Sequence, residues 1–276
     1  MSREEIKMKL KVLEDNNTFI DQYYLGEPAV SYYIEDEDVK ILFDTGYSDA
    51  FIKNAKSMNI NLEEVNKIVI SHGHNDHTGG LKYLFKSIDN KNIELIAHTE
   101  CFNKKVCDNE YIGTSMTKEE LESVCNLKLS NNPLKISENI IFLGEIPQSN
   151  NFEKGEVIGE CDLAGKMVED TVKDDTAMVY KSKKGLFIIT GCSHSGICNI
   201  IEYAKKVCNE DRVYGVIGGF HLFDINEKLN KTIQYFKEIH PELLYPCHCI
   251  SLKAKIEMGK NLKINEVGVG LEINID

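Results

Sequence analysis

The stretch Ser71-His72-Gly73-His74-Asn75-Asp76-His77-Thr78-Gly79-Gly80 decides how this chain reads. Three histidines and an aspartate fall within six residues, directly after the apolar run Lys67-Ile68-Val69-Ile70. Neutral imidazole and carboxylate are the donors that a zinc-like or iron-like cation takes. Four such groups packed this tightly along the chain can hardly all serve one ion. Alternation sends His72 and His74 one way and Asp76 and His77 another, an arrangement that would serve two adjacent cations. A solitary histidine is ordinarily structural, whereas a cluster at this spacing reads as a metal motif.

Working outward, His194, His221 and His248 each stand just after an apolar run and before a helical pattern, as the first cluster does. In open α/β arrangements, ligands bind where the carboxyl ends of strands open into loops. A fold that gathers those ends would bring all four segments to one edge. Gly73, Gly79, Gly80, Gly191, Gly196, Gly218 and Gly219 flank these histidines and allow close backbone approach. His194 and His248 therefore read as further ligands. His221 reads either as a ligand or as a group that hydrogen-bonds substrate or shuttles a proton. His98 and His240 lack the full setting. Cys192 could coordinate a metal or be a small buried hydrophobe, and it stays outside the ligand set, as do Cys247 and Cys249. Asp44 is expected to cap a following helix, with support of the ligands from behind as the other role. Asp174-Asp175 could supply such support too, but a solvated turn is the expectation.

Around these points the chain alternates strands and helices. Period-two patterns predict strands at 6–14, 29–35, 39–43, 67–70, 93–97, 139–144, 177–181, 186–189, 213–217, 243–245 and 266–275. Helices are predicted at about 49–58, 80–87, 117–125, 197–208, 226–239 and 252–258; the third opens with the capping box Thr117-Lys118-Glu119-Glu120. The stretch 101–170 reads as an irregular, substrate-covering insertion in a single domain spanning 1–276, loop-like from 145 onward. No tandem repeat is present, although both halves share a β-then-βα organisation.

Composition bounds the function. With 276 residues, a net charge of −12 and 42% hydrophobic residues, the chain can bury a large core and presents an acidic surface. That balance argues against broad contact with a nucleic-acid backbone but leaves room for a small-molecule substrate. No apolar run reaches membrane-spanning length and the first residues carry no apolar signal, so a cytoplasmic protein is the default expectation. Nine scattered cysteines, odd in number and without a CxxC pair, are expected to be reduced thiols. Oligomeric state is not legible.

The stretch "SHGHNDHTGGL" resembles the H-x-H-x-D-H signature of the metallo-β-lactamase superfamily. Together with "LFDTG" at 42–46, "TGCSHSGI" at 190–197, "GGFHL" at 218–222 and "PCHC" at 246–249, it is similar to one branch. That branch comprises the 7,8-dihydropterin-6-methyl-4-(β-D-ribofuranosyl)aminobenzene-5′-phosphate synthase-like proteins. The resemblance implies a four-layer αββα sandwich with a dinuclear centre at one edge. It also implies that His72, His74 and His194 hold one metal, while Asp76, His77 and His248 hold the other. Zinc is the expected metal, with manganese or iron as alternatives. Where many members carry a bridging aspartate after "TGD", this chain reads Thr190-Gly191-Cys192, and "PCHC" is followed by Ile250-Ser251 rather than Thr-Gly. The expected activity is that of a metal-dependent hydrolase or transferase. Two cations about 3.5–4 Å apart would activate a water for attack on a small, anionic, phosphorylated or pterin-like substrate. Asp76 would orient that water, and His221 would stabilise charge developing on substrate oxygen. Two other readings stand beside it. One is a di-iron, oxygen-reducing protein, whose relatives carry a carboxylate at the place of His74 and a flavin partner domain. The other is a non-catalytic, metal-containing metabolite binder.

Overall fold

The alternation along each central strand sorts its side chains into two separate cores, and this sorting builds the layers. A computed structural model describes residues 8–276. In strand Val39–Phe43, Ile41 and Phe43 enter one core and Leu42 the other; in strand Gly185–Thr190, Phe187 and Ile189 point one way, Leu186 and Ile188 the other. The core shared by both strands, filled also by Met8, Tyr32, Phe142, Met178 and Ile217, is the filling between two sheets. The two remaining cores lie on the outer faces. Leu42, Ile68 and Leu95 pack under Phe51 and Ala55, Leu81 and Leu84, and Leu121, from helices Ala50–Ser57, Leu81–Ser87 and Lys118–Val124. Leu186, Ile188 and Val216 pack under helices Ile197–Cys208, Glu227–Ile239 and Leu252–Gly259. The result is an αββα sandwich, as the resemblance implied.

One sheet has seven strands, in the spatial order Glu272–Ile275, Met8–Glu14, Ser31–Asp36, Val39–Phe43, Lys67–Val69, Glu94–Ala97, Asn126–Leu129. The other has six, in the order Leu243–Cys247, Val213–Gly219, Gly185–Thr190, Ala177–Ser182, Ile140–Phe142, Leu134–Lys135. Each sheet joins an antiparallel part to a parallel part. Val39–Phe43, Lys67–Val69 and Glu94–Ala97 run parallel, and so do Gly185–Thr190, Val213–Gly219 and Leu243–Cys247. Parallel strands need crossover helices, and each crossover returns the next carboxyl end to the same edge.

Two expectations change. The stretch 101–170 is loop over 145–158 but not throughout: Lys105–Cys107, Glu110–Tyr111, Glu160–Leu163 and Lys166–Glu169 form a small third sheet. Its strands are two to four residues long, too short for a period-two signal to emerge. The closing strand covers only Glu272–Ile275, because Gly270 turns the chain at a φ of +96°. The opening strand is seen from Met8 onward; positions 6 and 7 lie outside the described residues.

Candidate metal centre

The strand Lys67–Val69 passes through Ser71 and His72 into a single helical turn, Asn75–Thr78. His72 and His74 leave from extended backbone and Asp76 and His77 from the turn, which separates their directions. His72 Nε2 lies 2.9 Å from His74 Nδ1. The ring of His194, delivered by the loop after strand Gly185–Thr190, sits 4.8 Å from that of His72 and 5.1 Å from that of His74. On the other side, Asp76 Oδ2 lies 3.5 Å from His77 Nε2 and 3.3 Å from His248 Nε2. The structure thus brings His72, His74, Asp76, His77, His194 and His248 together. Asp76 is not turned wholly away from the first pair: its carboxylate also lies within 4.8 Å of the facing nitrogens of His72 and His74.

Cys192 sits at the junction. Its sulfur is 3.2 Å from both His77 Nε2 and His248 Nε2, and it also groups with His72 and His194. Position and donor type place it between the two triads, where the sequence reading had left the choice open. His221 stacks 4.3 Å from His194, centroid to centroid, and groups with Cys192 and Cys249. His98 is buried elsewhere with Glu145 at 3.6 Å, and His240 ends a helix in the left-handed conformation.

The fit to cations rests on the state of the donors. His194 Nε2 is buried without a hydrogen-bond partner. Burial, then the neighbouring imidazoles, pushes His72 and His194 well below the ordinary histidine range, which leaves them neutral and able to donate a lone pair. Burial works against a charged His77, yet Asp76 and Asp44 outweigh it and raise this group well above its usual value. Burial would also raise Asp76, but His77 and His248 hold it well below the carboxylate range. Cys192 is pushed well up by burial, so a thiolate there requires an adjacent cation. Neutral His72 and His194, one ionised carboxylate, a buried sulfur and a His77 that would give up its proton to a bound cation form a donor set suited to zinc-like ions.

Side chains behind the ligands fix their orientation. Asp44, in the left-handed region at φ 56°, does not cap the helix Ala50–Ser57, whose N-cap is Asp49. Its Oδ2 instead accepts from Ser71 Oγ and from His77 Nδ1, both at 2.7 Å, and its Oδ1 accepts from Ser71 N at 2.7 Å. This leaves His77 Nε2 free to face the centre. Gly191 must be glycine, because a Cβ would collide with Ser71 Oγ and crowd Asp44. Asp174 is equally remote from a solvated turn: it is 1% exposed, accepts from Gly73 N at 2.7 Å and pairs with Lys105 Nζ at 2.9 Å. Lys105 also reaches Asp170 at 2.7 Å. His248 receives support from Asp15 at its N–H, 3.1 Å, and from Asn16 at Nδ1, 3.0 Å. Lys105, Asp15 and Asn16 carry no sequence signal, since each acts through contacts remote in the chain.

The centre floors a cavity of about 530 Å³ lined by His74, Asp76, Cys192, His194, His221 and His248. Tyr47, Ile112, Ile158 and Phe223 give it apolar walls, and among the described residues no lysine or arginine lines it. Ile112 follows the third sheet's strand Glu110–Tyr111, and Ile158 precedes its strand Glu160–Leu163.

Residues 25–100 match the model of the metallo-beta-lactamase superfamily. Over 263 residues, covering 94% of this chain and 98% of the relative, the sequence is 35% identical to an uncharacterized protein of Methanocaldococcus jannaschii. It is also 35% identical over 263 residues, 90% of this chain and 89% of the relative, to that organism's 7,8-dihydropterin-6-methyl-4-(beta-D-ribofuranosyl)-aminobenzene-5′-phosphate synthase. The chain belongs to the metallo-β-lactamase superfamily. Among solved structures, Tm1679, described as a metal-dependent hydrolase of the beta-lactamase superfamily, superposes with a TM-score of 0.83 at 29% identity, covering 98% of this chain and 99% of its own. YhfI from Bacillus subtilis shares the superfamily fold at a TM-score of 0.60 and 12% identity, over 98% of this chain and 100% of its own. No helix among the described residues is long and apolar enough to cross a membrane.

Proposed function

We propose that this superfamily member is a metal-dependent hydrolase or transferase that holds two divalent cations, zinc in the first instance, and acts on a small anionic substrate. The observation that carries this reading is the convergence of two donor triads on one buried sulfur at the floor of a cavity. His72, His74 and His194 would hold one cation and Asp76, His77 and His248 the other, with Cys192 between them. Cations so held make water acidic near neutral pH and polarise a scissile bond.

The chain's own groups supply the rest. The ionised Asp76 carboxylate borders the cavity and can orient a water and take its proton at an oxygen. His221, beside His194, is placed to donate a hydrogen bond to a substrate oxygen on which charge develops. The apolar walls would seat a flat ring system. One relative is named for making a dihydropterin joined to a ribofuranosylaminobenzene 5′-phosphate, which supports a phosphorylated or pterin-like substrate here. We further propose a protein that works as one domain on small molecules rather than on nucleic acid.

The test is metal analysis alongside a screen of phosphomonoesters, phosphodiesters, lactones and thioesters. Two zinc or manganese per chain with ester turnover would support the reading. Two iron with oxygen consumption, or metal without any turnover, would overturn it in favour of a redox protein or a metabolite binder. His74→Ala should lose metal and turnover together, read by elemental analysis and the same assay; an active variant would contradict the proposal.

A further inference from the structure

We propose that Lys228 and His221 form a seat for a remote oxyanion of the substrate, a carboxylate or phosphoryl group, which the side chain of Glu156 occupies in this structure. The inference rests on the cavity being the substrate site, and it adds where the substrate's charge is read. Among the described residues no lysine or arginine lines the cavity, and Lys228 is the cation that touches one of its lining residues, His221. Lys228 stands there, in the first turn of helix Glu227–Ile239, where the helix dipole also favours an anion.

The Lys228 side chain is only 15% exposed, yet its ammonium is poorly used. It donates to the His221 carbonyl at 3.5 Å and meets Glu156 Oε1 at 4.0 Å. The other oxygen of Glu156 lies 3.9 Å from His221 Nε2. Ammonium–carboxylate bonds ordinarily close to about 2.7–2.9 Å, so this carboxylate spans the Lys228 and His221 side chains without bonding to either. It behaves as a loosely held stand-in.

Glu156 can leave, because it lies on a short span between two anchors, Glu153 on one side and the bond from Ile158 N to Asp170 O, 2.8 Å, on the other. Glu153 is buried, and its carboxylate accepts from Cys198 N and Asn199 N, both at 2.9 Å, at the start of helix Ile197–Cys208. Beyond that anchor, residues 154–158 form no regular structure, and Glu156 has a 64% exposed side chain. Ile158, two residues on, lines the cavity. An incoming oxyanion with better geometry would displace Glu156 and pair with Lys228 and His221.

Calorimetric titration of the full chain with inorganic phosphate, with and without loaded zinc, tests this. Lys228→Gln should weaken phosphate binding roughly tenfold, about the worth of one charge-assisted contact. Glu156→Gln should tighten it several-fold by removing the competitor. The double variant should resemble Lys228→Gln, and Lys228→Arg should retain most affinity and serves if Lys228→Gln does not fold. Equal affinity in wild type and Lys228→Gln, or no gain in Glu156→Gln, would overturn the seat, since phosphate would then be held elsewhere. The metallohydrolase reading fails separately, by the absence of bound zinc in the wild-type protein.

Discussion

The two halves of the molecule bring ligands to the same edge by different means. The first half places His72, His74, Asp76 and His77 on one short loop and holds that loop with side chains. Asp44, Ser71, Asp174 and Lys105 are all buried and all bonded to it or to one another. The second half spends one strand end per histidine and adds strained backbone to side-chain support such as that of Asp15 and Asn16 for His248. Ser193, His221 and His248 lie in the left-handed region, at φ 59°, 48° and 53°. Left-handed backbone costs a non-glycine residue of order 1 kcal/mol and turns the chain sharply at a strand end. A crowded loop therefore needs a scaffold of carboxylates, while a lone ligand can be aimed by a strained turn.

Removing the scaffold's cation should break the contrast most severely. Lys105→Met leaves Asp170 and Asp174 as unpaired buried charges, a loss of about 3–5 kcal/mol that urea denaturation would measure. Next in size, Asp44→Asn keeps the shape but weakens the hold on His77. Zinc affinity should fall roughly 10–100-fold in competition with a chelator, with little change in the fold.

A milder effect is expected behind the same loop. Burial first, and then the neighbouring Glu27, pushes the Glu14 carboxyl up to about 9. The sign follows from linkage: a raised folded-state value gives stability that is complete below the unfolded value of 4.5 and lost as pH rises through 9. Glu14→Gln should therefore flatten the decline in the urea midpoint between those limits, gaining about 1–2 kcal/mol at pH 8. The smallest effect belongs to the second half. His221→Gly should be more stable than His221→Ala by about 1 kcal/mol, because glycine relieves the turn. The same pair of substitutions at His72, outside the left-handed region, should rank in the opposite order.

Legibility in the sequence follows the same division. The strands, the helices and the convergence of His72, His74, Asp76, His77, His194 and His248 could be read because strand periodicity and glycine-flanked histidines are local signals; the four-layer order followed from the family resemblance. The scaffold could not. Asp44 and Asp174 sit where a cap and a solvated turn are the ordinary outcomes, and only the approach of Ser71, His77, Gly73 and Lys105 from elsewhere makes them otherwise. Cys192 was ambiguous for a chemical reason, since a buried thiol and a bridging donor look alike until their neighbours are known. The third sheet escaped notice because Glu110–Tyr111 and its partners are too short to show a period.

The hydrogen bond from His248 N–H to Asp15, spanning 233 positions, has a consequence for biosynthesis. Asp15 leaves the ribosome early and waits for a histidine made near the end of the described chain. Pairings this distant close late, because chain entropy opposes them until most of the sandwich exists. During that wait the loop at 71–80 presents only part of a donor set to whatever cation the cell offers. Under the proposed two-cation reading, the donor group of Asp76, His77 and His248 is complete only when translation has passed residue 248, and a filled centre would report a finished fold.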